Sequence, residues 1–266
     1  MFKLTEKNGV CYYTISSFEE TGLVNHCFST RMGGVSEGYC ASMNLRFFEA
    51  DSDENVLRNF EIISDTIGID YRKIVHSKQI HEAEVYKASA VDCGNGIIRE
   101  NALTNADALI TNERKVPLMT THADCVPLFF LDKKHSVIAL AHSGWRGTVK
   151  GIGLNVIRKM KDEYDSDYED ILVGIGPSIQ EDCFEVGDEV AEQFIDIFGA
   201  DTAVRYGEKY HVNMQKAIKK QLMNEGIPET NIDDCGICTS CNSELLFSHR
   251  KTNGKRGNLG AFLELK

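Results

Sequence analysis

Cys125 and His142 stand out as residues able to do chemistry, one before and one at the end of two apolar runs. Thr121-His122-Ala123-Asp124-Cys125-Val126-Pro127 leads into Leu128-Phe129-Phe130-Leu131. After the polar break Asp132-Lys133-Lys134-His135, a second run goes from Ser136 to His142. Two apolar runs about a short polar break predict a β-hairpin. A turn centred between Lys133 and Lys134 sets Cys125 directly opposite His142, with Cβ atoms roughly 4.5–5.5 Å apart on one face. One metal ion can bridge a thiolate and an imidazole at that separation, since Zn–S is ~2.3 Å and Zn–N ~2.0–2.1 Å. A one-residue slip would send the two side chains to opposite faces. Lys-Lys is not a favoured two-residue turn, but a longer loop with the same centre keeps the pairing. The bland alternative is a buried thiol and a satisfied strand-end histidine.

A metal needs a third ligand, and His76, His81, His122 and His135 are all near in sequence. Three ligands with an open position is the catalytic zinc pattern. Without metal, the same pair makes a thiol nucleophile (Cys125) and its base (His142), oriented by Asp124 or Asn44. Asp124 is also the candidate proton shuttle beside a metal. Arg31, which precedes Gly33-Gly34, joins Arg46, Arg146 and Arg250 as candidate anion holders, because guanidinium groups grip phosphate bidentately. Each is equally readable as solvated surface. Trp145 can stack on a base or fill the core. Cys235-x-x-Cys238-x-x-Cys241 has overlapping metal-ligand spacings and lacks a fourth ligand unless His249 serves; free thiols are the simpler reading. His249-Arg250-Lys251 and Lys255-Arg256 form a basic cluster, either a solvated loop or an anion attractor beside the pocket.

The elements that must position these residues are mixed α and β. Strands are predicted at Val10–Ser16, Asn25–Ser29, Ile74–Ser77, Ala106–Thr111, Pro117–Thr121, Pro127–Leu131, Val137–His142, Leu172–Ile175 and Leu259–Leu265. Ser52 or Asp53 caps a helix with Val56, Phe60, Ile63 and Ile67 on one face, ended by Gly68. Further helices are expected at Gly151–Tyr164, Asp188–Phe198 and Val212–Asn224. The irregular order argues against a TIM barrel or a simple Rossmann sheet, and no GxGxxG or GxxxxGK[ST] occurs. The 266 residues include only four prolines and show no repeat or composition break, so a single domain over residues 1–266 is expected. A net charge of -11 excludes a broad basic surface for nucleic acid. No apolar run is long enough to span a bilayer. The odd count of nine cysteines, with no visible signal peptide, points to reduced thiols and the cytoplasm.

Taken together, these motifs resemble the family long labelled multicopper polyphenol oxidase or laccase, whose members are described as zinc-dependent purine nucleoside phosphorylases with adenosine deaminase activity. The resemblance rests on Phe28-Ser29-Thr30-Arg31-Met32-Gly33-Gly34-Val35-Ser36 with Asn44-Leu45, Gln79-Ile80-His81, Ala106-Asp107-Ala108-Leu109-Ile110-Thr111 and Ala123-Asp124-Cys125. It continues through Ala141-His142-Ser143-Gly144-Trp145-Arg146-Gly147, Gly176-Pro177, Glu185-Val186-Gly187, Cys238-Thr239 and Phe247-Ser248 with Arg250. It implies an α+β fold, a layered α/β sandwich with mixed β-sheets. It also implies metal ligands at His81, Cys125 and His142, Zn2+ as cofactor ahead of Cu2+, and a nucleoside and phosphate as small-molecule partners. Phosphorolysis of adenosine, inosine and methylthioadenosine, with deamination of adenosine, is the implied activity; Arg31, Arg46, Asn44, Arg146 and Arg250 are the substrate and phosphate candidates. His122, His249 and the Arg46–Asp51 segment depart from the family pattern. A copper phenol oxidase is disfavoured because eight histidines with one close pair, His76 and His81, make a poor source of multicopper ligands.

Overall fold

The computed structural model describes residues 1–266. Two six-stranded sheets lie face to face. In the first, strands run in the order Phe2–Lys7, Val10–Ile15, Val24–Ser29, Leu259–Leu265, Leu118–His122, Val75–His76. In the second the order is Ile232–Asp234, Ile171–Ile175, Val126–Asp132, Val137–Ser143, Ala108–Thr111, Val85–Lys87. Both sheets are mixed: Val75–His76 runs parallel to its neighbour in the first, as do Ile232–Asp234 and Val85–Lys87 in the second. A small third sheet pairs Glu185–Val186 and Ala203–Tyr206 with Lys209–Val212.

Side-chain alternation along the strands sorts apolar residues into three layers. Phe28, Leu118 and Leu263 of the first sheet meet Phe129, Leu131 and Leu140 of the second in the central layer. The outer face of the second sheet, with Leu128, Phe130 and Ala139, is covered by helices Ile152–Tyr164 and Met214–Glu225. The outer face of the first, with Tyr12, Cys27 and Phe262, is covered by Val56, Phe60 and Ile63 of helix Asp53–Ile67. This is the layered α+β sandwich that the family resemblance implies.

Helix Asp53–Ile67 begins and ends where its caps dictate. The Ser52 side chain accepts from the Asn55 N–H, and Gly68 closes the helix at φ 80. Val212 belongs to a strand instead of the helix expected there, and Asn213 supplies the cap. Strand Phe2–Lys7 carries alternating polar residues on an open edge, and the hydrophobic pattern gives it no strong signature.

The central hairpin forms as expected, and every residue of Val126–Asp132 and Val137–Ser143 is buried. Its register corrects the sequence reading. His142 faces Pro127, not Cys125. The Asp132 carboxylate accepts from the N–H groups of Lys134 and His135, and Ser136 turns left-handed at φ 54. This Asx-type turn moves the loop centre one residue along and the register by two. Because side chains alternate with a period of two, the shift leaves Cys125 on the face of His142, as its diagonal neighbour.

Candidate metal centre

His81, Cys125 and His142 converge, with one donor atom from each lying within 4.8 Å of the others. His142 is buried, Cys125 half-buried and His81 exposed, so the cluster opens to solvent through His81.

Asp107 builds much of this arrangement. It stands one residue before Ala108, whose ladder partner is Ala141, and therefore sits opposite His142. The His142 N–H donates to the Asp107 carbonyl at 2.7 Å. The His142 Nδ1–H donates to Asp107 Oδ1 at 2.9 Å, which leaves Nε2 bare for a metal. The same carboxylate accepts from three successive N–H groups: Ile80 at 3.0 Å, His81 at 3.0 Å and Glu82 at 2.8 Å. His81 is held at φ 63, a left-handed conformation costly for a residue with a Cβ. Gln79 completes the clamp: its Oε1 accepts from the Thr121 N–H at 2.7 Å, and its Nε2 donates to the Thr121 carbonyl at 2.9 Å. One buried carboxylate and one amide thus fix the His81 loop. Sequence reasoning assigned Asp107 no role, although a lone acid ahead of the apolar run Ala108–Ile110 was the available signal.

Gly144 completes the cradle. A Cβ there would lie 2.8 Å from His81 Nδ1 and 3.2 Å from Cys125 Sγ. Any larger residue would push two ligands apart.

The electrostatics favour a charged pair. Burial pushes the Cys125 thiol up, but the His142 charge and hydrogen bonds from His142 and His81 outweigh it and bring the thiol down to about 6. Burial pulls His142 down, while the Cys125 charge and the Asp107 hydrogen bond raise it to about 9. Asp107 is held below the usual carboxylate range: burial opposes this, and the bonds from His142 and the Glu82 N–H prevail. A thiolate and two imidazoles, one with its tautomer set by a carboxylate, form a donor set that suits a borderline-soft transition-metal ion.

The other three histidine candidates are not part of the donor cluster. His122 lies 5.3 Å from the His142 ring, but its Nδ1 donates to the Cys125 carbonyl and its Nε2 pairs with the Thr120 hydroxyl. Burial, followed by the His142 charge, keeps it neutral. His135 sits in the hairpin loop against Asp132. His76 lines the cleft, and its buried Nε2 has no partner.

A family model described as multi-copper polyphenol oxidoreductase laccase matches residues 25–266. The chain belongs to this family. Among relatives, purine nucleoside phosphorylase YlmD of Bacillus subtilis is 36% identical over 244 residues, covering 90% of this chain and 87% of that protein. A purine nucleoside phosphorylase of Bacteroides thetaiotaomicron is 33% identical over 259 residues, covering 96% and 95%. The crystal structure of Bacillus licheniformis hypothetical protein YfiH superposes with a TM-score of 0.93 at 29% identity, covering 100% of this chain and 99% of that one.

In this laccase-like chain the cluster lies on the floor of a cleft of about 520 Å³. Arg46 lines it; Arg31, Asn44, Arg146 and Arg250 do not. Arg31 donates to the carbonyls of Ala41 and Ser243 and covers the Phe247 ring. Asn44 is buried and holds Arg46, Asp51 and Asn258. Arg146 stacks on Trp145, which itself packs against the core. Arg250 grips the carbonyls of Cys183 and Glu185. Asp124, the expected proton shuttle, does not line the cleft. Its two oxygens accept from the Thr239 hydroxyl at 2.6 Å and the Arg250 N–H at 2.7 Å, so it braces the C-terminal loop beside Cys125.

Among the cations of the cleft the candidate set missed Lys78 and, although the Lys255-Arg256 pair had marked its segment, Arg256. It lines the cleft with Arg46, and its buried Nε has no hydrogen-bond partner. Burial and the neighbouring Arg46 charge pull its pKa down. Neither arginine has a carboxylate partner among the ion pairs of the structure. No helix is long and apolar enough to cross a membrane.

Proposed function

We propose that this chain is a zinc-dependent purine nucleoside phosphorylase that also deaminates adenosine. The observation that carries the reading is one cleft holding the His81, Cys125, His142 donor set together with two arginines that have no carboxylate partner. Adenosine, inosine and methylthioadenosine are the proposed substrates, in keeping with the names of the relatives. Arg46 and Arg256, which both line the cleft, hold phosphate for attack on the ribose anomeric carbon. Zinc held by His81, Cys125 and His142 would supply a bound water of lowered pKa. Asp107 keeps the His142 proton on Nδ1 and the His81 loop in its strained turn. Cytoplasmic action on small molecules agrees with the acidic surface and the free cysteines. Copper fits the donor set less well as a function, because the cluster offers three donors for one ion and a multicopper centre needs many more.

The Cys125–His142 charge pair supports a second reading, a metal-free Cys–His hydrolase. One experiment separates the two. Metal content is measured on protein purified without added metal, for wild type and Cys125→Ala, followed by adenosine turnover with and without phosphate. One zinc equivalent per chain fewer in the variant than in wild type, with phosphate-dependent release of adenine, supports the phosphorylase. Metal-free wild type whose Cys125 is rapidly alkylated by iodoacetamide overturns it in favour of the hydrolase.

A further inference from the structure

A second cluster lies outside the cleft. The sulfurs of Cys183, Cys238 and Cys241 all fall within 4.8 Å of one another, and Cys183 Sγ is 3.4 Å from Cys241 Sγ. We propose that Cys183, Cys238 and Cys241 form a trithiolate site for a thiophilic d10 ion such as Zn2+, independent of the cleft.

Geometry supports this directly. An ion ~2.3 Å from each thiolate holds the sulfurs about 3.8–4 Å apart, within the observed spread. Two ligands come from the Cys238-x-x-Cys241 turn and the third from Glu181–Cys183, a 3-10 turn distant in sequence. The two segments are bolted together before any ion arrives. Ser178 and Cys238 form a parallel bridge, in which the Ser178 N–H donates to the Ile237 carbonyl and the Thr239 N–H to the Ser178 carbonyl, both at 3.1 Å. Gln215 reaches the same strut through the Ser178 hydroxyl and the Ile179 carbonyl.

Without an ion, the crowded Cys183 and Cys238 sulfurs push the Cys241 thiol up to about 12, while the surroundings offer partners to metal-bound sulfur. The Gln180 N–H points at Cys238 Sγ, 3.5 Å away, as outer-shell donors do around metal-bound sulfur. The Arg250 guanidinium bonds the Cys183 and Glu185 carbonyls, which brings a positive charge to a site that becomes net negative when loaded with a divalent ion. Cys238 is buried and Cys241 exposed, so the ion has an anchored side, an entry path and an open position for water. Cys235, the third member of the sequence motif, is absent from the cluster; Cys183 takes its place. His249 likewise contributes no donor, since it lies against Arg256. On binding, the three S–H protons pass to solvent and three metal–sulfur bonds form, with no change in oxidation state.

The test uses full-length Cys125→Ser protein, in which the cleft cluster is broken, titrated with Zn2+ against a chromophoric chelator; Cu(I) is titrated in parallel under anaerobic conditions. One equivalent bound in Cys125→Ser, and none once Cys241→Ser is added, is the expected result. Cys241 is exposed, so its replacement spares the core; circular dichroism confirms the fold. Bound ion should also protect Cys183, Cys238 and Cys241 from alkylation, read by peptide mass. Tight Cu(I) binding with weak Zn2+ binding assigns the site to copper within the same proposal. No stoichiometric binding of either ion, or binding that survives Cys241→Ser, overturns it.

Discussion

Asp107→Asn should damage the metal centre without touching a ligand. In the wild type, Oδ2 accepts from the N–H groups of Ile80 and Glu82, and Oδ1 from the His81 N–H and the His142 Nδ1–H. An amide offers one oxygen and one NH2 group. If its oxygen takes the Oδ2 position, the NH2 faces two donors, and His142 must shift its proton to Nε2, the atom needed by the metal. If its oxygen takes the Oδ1 position, the Ile80 and Glu82 N–H groups lose their acceptor. The first arrangement strands one part-buried donor, the His81 N–H, and the second strands two, at about 1–3 kcal/mol each. The cheaper arrangement sets the expected destabilisation, about 1–3 kcal/mol. Metal affinity should fall roughly 10–100-fold, as is usual when an outer-shell partner of a histidine ligand is lost. Urea unfolding of metal-stripped protein measures the first effect and chelator competition the second. An Asp107→Asn protein within about 0.5 kcal/mol of wild type, with unchanged metal affinity, would refute the assignment of Asp107 as the residue that positions both histidines.

Gly144→Ala should weaken metal binding at least tenfold while costing about 1–3 kcal/mol of stability, because the added methyl enters the space between His81 and Cys125; chelator competition and thermal unfolding check both. Arg256→Ala should raise KM for phosphate roughly ten- to hundredfold, the equivalent of losing one charge-assisted hydrogen bond, with a smaller change in nucleoside KM; equal changes in both would argue that it holds the nucleoside. Acid should destabilise the fold through His26, whose buried ring accepts the Ile15 N–H at 2.8 Å. Burial lowers its pKa from 6.5 to about 4. The folded state therefore resists protonation that the unfolded state accepts. Stability is full above pH 6.5 and falls as pH drops towards about 4, by about 3 kcal/mol for this one group. His26→Gln should flatten that part of the pH–stability curve, and an unchanged slope in urea titrations would remove His26 as the cause.

Much of this protein is determined locally and so was legible in its sequence. The apolar runs about Asp132–His135 dictate a hairpin, Ser52 and Gly68 bracket a helix, and alternation puts Cys125 and His142 on one face whether or not the register slips by two. Motif order identified the family and the cluster of His81 with that pair. Other features depend on contacts distant in sequence, which no local pattern encodes. The hairpin register was decided by a side chain, Asp132, capping backbone N–H groups in the loop. Asp107 became the keystone because the neighbouring strand delivers it opposite His142 and beneath the His81 turn. Arg256 reaches the cleft while Arg31 and Arg250 turn to backbone carbonyls, although all are equally basic in sequence. Cys183 displaces Cys235 from the thiol cluster because a bridge at Ser178 brings its turn to Cys238. Residue types and periodicity decide which chemistry is available and which face carries it; only the tertiary fold decides which donors share one small volume, because that depends on how distant strands and loops are fastened together.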